Sequence, residues 1–403
     1  MENKPSVVMM GLGYIGLPTA ALIASKGLNV TGVDISPRVV NTINEGKIHI
    51  VEPELGGLVH YVVKQGYLKA ASKPVTADVY LIAVPTPFRE NHVPDLSYVE
   101  NAIRSIIPTL QKGALIILES TSPVGTTQKI QEIIFEERSD LKGELFFAYC
   151  PERVLPGNVI YELEKNDRAI GGIDEASTEK AVNFYKHFVK GELHKTNSRT
   201  AEMCKLVENS SRDVQIAFAN ELSMICDKAN INVWELIRLA NKHPRVNILQ
   251  PGTGVGGHCI AVDPWFIVSE FPEEAKIIRS AREINNYKTE WVIEKIKNAA
   301  LQFKIENERD AIIACMGLTF KPNIDDLRES PALHVAEQLG KEKFLVLYVE
   351  PNLKEHPKFS ISSANEAAEQ ADIVVFLVAH RGFKELDIKS DKQILDFCGV
   401  FKG

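Results

Sequence analysis

The chain has 403 residues, enough for two or three domains rather than one core. Its 45% hydrophobic and 25% charged content is ordinary for a folded water-soluble protein, and a net charge of −7 without a basic block argues against nucleic acid or a membrane surface as partner. No apolar run reaches the length of a membrane span, and residues 4–10 lead straight into a strand pattern without a leader-like stretch.

The six cysteines (Cys150, Cys204, Cys226, Cys259, Cys315, Cys398) contain no C-x-x-C pair and no metal-ligand spacing. A reduced, cytoplasmic protein without a metal is expected.

In chain order, the first strand patterns are "SVVMM" (6–10), "NVTGVD" (29–34), "VYLIAV" (79–84), "ALIILES" (114–120) and "LFFAYC" (145–150). Near-continuous apolar runs separated by helical patterns predict a parallel sheet covered on both faces, a doubly wound α/β domain. From 198 to 227 apolar residues recur at helical spacing without a glycine or proline break, and further helices are predicted over 233–240 and 274–300. The α/β alternation then returns with "AIIACMGL" (311–318), a helix after Pro331, "KFLVLYVE" (343–350) and "DIVVFLVA" (372–379). The fold expected is α/β: two Rossmann-like doubly wound lobes joined by a central helical segment. Its domains would be 1–197, 198–300 and 301–403.

"VVMMGLGYIGLPTA" sets Gly11, Gly13 and Gly16 as G-x-G-x-x-G after a strand and before a helix, and the next strand ends in Asp34. The first glycine permits a tight turn, the second admits a pyrophosphate, and the third lets helix and strand approach. The helix N-terminus faces the negative charge. An acidic strand end bonds the ribose 2′-hydroxyl and repels a 2′-phosphate, so NAD is the expected cofactor rather than NADP. Two later strand ends, "AVPTP" (83–87) and "ESTSPVGTT" (119–127), add Thr86, Thr121 and Thr127 as candidate cofactor contacts at the same sheet edge, or as ordinary turn residues.

Within "SRTAEMCKLVENSSRDVQIAFANE" (198–221), Glu202, Lys205, Asn209, Arg212 and Asp213 recur at three- and four-residue steps. Two readings stand: a solvated face laced with charge pairs, or a functional face on which a desolvated lysine, its pKa lowered toward neutrality, serves proton transfer. Asn209 and Asn220 suit the second better, since asparagine is a mediocre helix former.

"PGTGVGGHCIAVDP" (251–264) is a second glycine-rich loop, and it carries a cysteine. Most cysteines are small buried hydrophobes, which suits Cys204, Cys226 and Cys315. Cys259 sits among glycines that leave the backbone close to whatever binds. A nucleophilic cysteine together with NAD points to oxidation at the aldehyde level through a thioester.

With these stretches in view, the chain resembles the UDP-glucose/UDP-N-acetylhexosamine 6-dehydrogenase family nearly end to end. The likeness is carried by "GLGYIGLPTA", "AVPTPF", "ESTSPVG", "YCPERVLPG", "NSRTAEMCKLVENS", "NVWELIRLANKHPRVNILQPG", "GVGGHCIAVDPWFIV" and "FKPNIDDLRESPA". It implies a two-step, four-electron oxidation of a sugar C6 alcohol to a carboxylate with two NAD. Cys259 would be the thiohemiacetal-forming nucleophile and Lys205 the proton donor/acceptor and oxyanion stabiliser. Asn209 and Asp263 would position water, and Glu152 would assist thioester hydrolysis.

The resemblance also implies that Arg153, Val154, Lys205, Asn209, Arg212, His243, Arg245, Gly256, Phe320 and Lys321 hold the UDP-sugar. Arg245 would come from a partner subunit, making a homodimer. Tyr14, Ile15, Asp34, Thr86, Thr127 and Arg328 would touch the cofactor.

His258 and Val262 flank the cysteine where the glucose branch has Ser and Lys, and "CPERVLPG" replaces "NPEFLREG". Both departures follow the N-acetylhexosamine branch, the mannosamine subtype in particular, and imply surface polysaccharide synthesis. The family's basic residue in a C-terminal D-x-R/K-G is here Cys398. A non-catalytic nucleotide-sugar binder would not need Cys259, Lys205, Asn209 and Asp263 together. A single-step hydroxyacid dehydrogenase would need neither the cysteine loop nor the last lobe.

Overall fold

The structure, a computed structural model, describes residues 4–89, 92–154, 157–257 and 259–401. It divides into two compact units, Met1–Val207 and Glu208–Gly403, and the boundary falls inside one 32-residue helix, Ser198–Ala229.

The first unit is an eight-stranded sheet: β1 (Val7–Met10), β2 (Val30–Val33), β3 (Leu68–Ala71), β4 (Val79–Ile82), β5 (Leu115–Leu118), β6 (Phe146–Tyr149), β7 (Arg168–Gly172) and β8 (Leu193–Asn197). Their order is β3-β2-β1-β4-β5-β6-β7-β8, all pairs parallel except β6–β7. That is the Rossmann order extended on one side. Every residue of β1, β2, β4 and β5 is buried. The period-two alternation of a strand splits the residues between two layers: Val7 and Met9 pack into one core, Val8 and Met10 into the other. Each fully buried aliphatic side chain contributes about 2 kcal/mol.

The second unit holds a four-stranded parallel sheet, β9 (Ile312–Met316), β10 (Leu345–Val349), β11 (Ile373–Phe376) and β12 (Gln393–Asp396), in the order β10-β9-β11-β12. The same alternation places Ile373 and Val375 on one side of β11, Val374 and Phe376 on the other. The helix Pro331–Lys341 begins as a helix should, with Ser330 Oγ accepting from Leu333 N and Pro331 in the first turn. The predicted central helices are present as Ser198–Ala229, Val233–Ala240 and Lys276–Asn307.

Four strands escaped the sequence reading. β3, β8 and β12 lie at sheet edges or carry exposed polar residues, which dilutes the apolar signal. β7 begins with a buried arginine and ends in two glycines.

Candidate active site

In the first unit the glycine loop follows β1. Gly11 has φ +91°, and a Cβ there would lie 2.5 Å from Ala83 O. A Cβ on Gly16 would lie 1.9 Å from Gly11 O. The protein's own packing therefore demands both glycines. Gly13 is different: a Cβ would meet nothing within 4 Å. That leaves open space over its backbone, which suits the close approach of a pyrophosphate.

Asp34, just past β2, accepts from Leu12 N at 3.1 Å and from Ser36 N at 2.9 Å, which pins its carboxylate beside the glycine turn. Tyr14 is exposed and Ile15 half-buried at the start of the helix Gly16–Ser25. These residues fit a dinucleotide.

Thr86 and Thr121 are half-buried at the ends of β4 and β5. Thr127 is fully buried, and both its N–H and its hydroxyl donate to Glu202 at 2.7 Å. Glu202 also accepts from Gly125 N at 2.6 Å, so its carboxylate caps the helix Thr126–Glu137 in place of a local side chain.

Glu152 lies in the loop after β6, 7% exposed. Its Oε1 accepts from Arg153 N at 2.6 Å, and its Oε2 accepts from both terminal nitrogens of Arg168 at 3.2 and 3.3 Å. Lys205 Nζ donates to the Glu152 carbonyl at 2.8 Å. The structure thus brings together two residues predicted separately.

Beneath them is a buried network that no sequence pattern announced. Arg168 extends toward Glu152, and Tyr185 donates to Glu119 Oε1 at 2.6 Å. Burial pushes the Glu119 carboxyl up to about 7, against the pull of Arg168. The only sequence hint was an arginine opening an otherwise apolar strand. The Arg153 guanidinium donates to Asp167 O, and Val154 packs on the apolar core.

In the second unit, Cys259 is half-buried and its carbonyl accepts from Val262 N at 3.0 Å and Asp263 N at 2.8 Å. This turn runs into the helix Asp263–Glu270. Asp263, 3% exposed, accepts from Asn209 Nδ2 at 2.6 Å. Burial pushes the Cys150 and Cys315 thiols up to about 11 and 12, which keeps both inert at neutral pH. Cys226 is buried as expected, whereas Cys204 is half-buried. His258 lies outside the described residues; Val262 is buried.

The second glycine loop is shaped by the protein itself. Cβ atoms on Gly256 would lie 2.4 Å from Glu329 O and 2.8 Å from Phe320 Cβ. Gly257 has φ +82°, a Cβ there would lie 2.9 Å from the Phe320 ring, and its N–H donates to Arg328 O. These glycines let the cysteine loop lie against the segment containing Phe320, Lys321 and Arg328. Phe320 is half-buried and Lys321 exposed, while the Arg328 guanidinium grips Asp326, the shortest contact being 2.6 Å.

The polar helical stripe does not share one environment. Asp213 is fully buried and accepts from Arg282 at 2.6 Å and Asn285 at 2.8 Å. Asn220 is also buried, bonded to Asn285 and Gly252 N. Arg212, His243 and Arg245 are exposed. A lysine that burial brings to about 7 is Lys288, whose Nζ donates to Ser223, and it was not among the expected site residues.

Residues 5–189 match the NAD binding domain of the UDP-glucose/GDP-mannose dehydrogenase family, 199–287 its central domain and 314–403 its UDP binding domain. The chain is 55% identical to a UDP-N-acetyl-D-mannosamine dehydrogenase of Campylobacter jejuni, over 99% of this chain and 100% of the relative. It is 53% identical to an NDP-N-acetyl-D-galactosaminuronic acid dehydrogenase of Ralstonia nicotianae, over 98% and 96%. Among solved structures, a UDP-D-ManNAc dehydrogenase from Pyrococcus horikoshii superposes with a TM-score of 0.88 at 38% identity, covering 98% of this chain and 96% of that one.

Proposed function

Because this chain belongs to the UDP-glucose/GDP-mannose dehydrogenase family, we propose that it oxidises C6 of UDP-N-acetyl-D-mannosamine to the uronate in two steps. NAD, bound by the first unit, supplies the hydride acceptor for each oxidation.

The chain's own groups carry the rest. Lys205 takes the proton of the C6 hydroxyl and then steadies the oxyanion. The Cys259 thiolate adds to the aldehyde carbon, and the second oxidation leaves a thioester. Asn209 and Asp263 hold the water that cleaves it, releasing the carboxylate and restoring the thiol. Glu152 assists that cleavage from its place beside Arg153. The carrying observation is the Asn209–Asp263 hydrogen bond one turn after Cys259, a pairing a mere nucleotide-sugar binder would not need.

Arg153, Val154, Arg212, His243, Arg245, Gly256, Phe320 and Lys321 hold the UDP-sugar. Thr86, Thr121, Thr127 and Arg328 join the glycine loop and Asp34 in holding NAD. Exposed Phe218, Ile225 and Tyr287 on the two long helices support a homodimer, each site receiving Arg245 from the partner chain. No described helix is long and apolar enough to cross a membrane. We place the reaction in the cytoplasm, in the service of surface polysaccharide synthesis.

NADH formation measured over UDP-ManNAc, UDP-GlcNAc, UDP-GalNAc and UDP-glucose tests the substrate; two NADH per UDP-ManNAc is expected. Preference for another sugar overturns the assignment. Cys259→Ala is expected to bind NAD and UDP-sugar yet form no uronate, and full turnover by that variant would sink the covalent route.

A further inference from the structure

The second sheet repeats the turn of the first. Gly11 follows β1 at φ +91° and donates to Val33 O at 2.8 Å; Gly317 follows β9 at φ +92° and donates to Val349 O at 2.8 Å. Asp34 past β2 accepts from Leu12 N and Ser36 N; Glu350 past β10 accepts from Leu318 N and Asn352 N. The acidic residues nevertheless serve different ends. Asp34 is half-buried at a nucleotide edge, whereas Glu350 is 1% exposed and bonded to the equally buried His380 at 3.0 Å.

The partners decide the tautomer of His380. Burial works to raise the Glu350 carboxyl, but the His380 bond and the backbone N–H groups outweigh it and hold it at about 2. An ionised carboxylate only accepts, so His380 Nε2 carries the proton and Nδ1 is the acceptor. Nδ1 receives Asn323 N at 2.9 Å and Asn352 Nδ2 at 3.2 Å. Arg381 N then donates to Asn323 Oδ1 at 3.0 Å, and Thr319 Oγ1 to Lys321 O at 3.0 Å. Phe320 and Lys321 are bracketed on both sides by bonds that lead back to His380 and Glu350.

We propose that His380 is a positioning residue for the UDP-sugar: its Nδ1 holds the 319–323 backbone in the conformation in which Phe320 and Lys321 receive the nucleotide. This rests on the reading that those two residues hold the UDP-sugar.

Two substitutions separate the ring nitrogens. His380→Asn places an acceptor near Nδ1, and His380→Gln a donor near Nε2. H380Q is expected to raise KM for UDP-ManNAc about tenfold, with kcat within about twofold and KM for NAD unchanged. H380N is expected to stay within about threefold of the unsubstituted enzyme. Calorimetric titration with UDP alone should show the same order.

Should H380Q fail to fold, Asn323→Gly tests whether the conformation of this segment sets UDP-sugar binding. It suits the φ of +61° and keeps the backbone bond to His380 but removes the Arg381 contact, so it should raise the same KM, and an unchanged KM for the UDP-sugar overturns the proposal. A folded H380Q with unchanged KM for the UDP-sugar, or a loss confined to kcat or to NAD, overturns the proposal. An unsubstituted enzyme that neither binds UDP nor oxidises a UDP-sugar overturns the functional reading beneath it, which is a distinct result.

Discussion

Asn209 Nδ2 donates to Asp263 Oδ2 across 2.6 Å, and the Asp263 N–H is itself bonded to the Cys259 carbonyl. One hydrogen-bonded chain therefore runs from the long helix Ser198–Ala229 to the turn that carries Cys259. If this pair holds the hydrolytic water, Asp263→Asn removes the charge with little change in shape. The expected result is a fall in kcat of about 10²-fold, KM within a few-fold, and a covalent sugar adduct on Cys259 visible by intact-mass spectrometry. A slow variant without adduct would mean that Asp263 acts before the thioester forms.

The glycines separate into those whose neighbours leave no room for a side chain and Gly13, where a Cβ would meet open space. Gly13→Ala adds a methyl group into open space, so its melting temperature should match the unsubstituted protein while the Kd for NAD rises about tenfold or more. Gly257→Ala meets both a φ of +82° and the Phe320 ring, and should cost about 1–3 kcal/mol of stability as well as weakening UDP-sugar binding. Thermal melts paired with NAD titrations distinguish them. Equal destabilisation by both would refute the division.

Glu119 makes stability depend on pH in a stated direction. Its carboxyl titrates at 4.5 when unperturbed and at about 7 when buried in the native protein. Between those values the folded state holds a proton that the unfolded state has released. The stability this contributes is present below pH 4.5 and is lost as pH rises through about 7. Glu119→Gln keeps an acceptor for Tyr185 and removes the titration. Denaturant melts should show a flatter profile from pH 5 to 8, with the variant ahead at pH 8 by at most about 3 kcal/mol. An unchanged slope would place the titration elsewhere.

How much could be read beforehand follows the range of the interactions involved. The strands of the sheet centres were legible because both faces are buried and the apolar runs are nearly unbroken. The glycine turn after β1 and the acidic residue past β2 were legible because each is a local feature of one turn and one strand end. The stripe on 198–221 was legible as a stripe but not as a set of roles. Glu202 caps another helix, Asp213 neutralises a buried arginine, Lys205 meets a carbonyl and Asn209 a carboxylate. Each partner lies more than fifty residues away, and helical periodicity carries no record of it.

The amino-acid order alone determined the two α/β lobes, the helical segment between them, the NAD fingerprint and the cysteine in its glycine loop. Those features are local: strand and helix periods, turn chemistry and residue type suffice to specify them. Tertiary structure decided which polar groups meet. It made the second glycine loop a seat against Phe320, Glu329 and Arg328, gave Glu152 a buried arginine, and closed Glu350 around His380. A buried charge is tolerated only where distant segments bring it a partner, so these pairings exist only once the chain has folded.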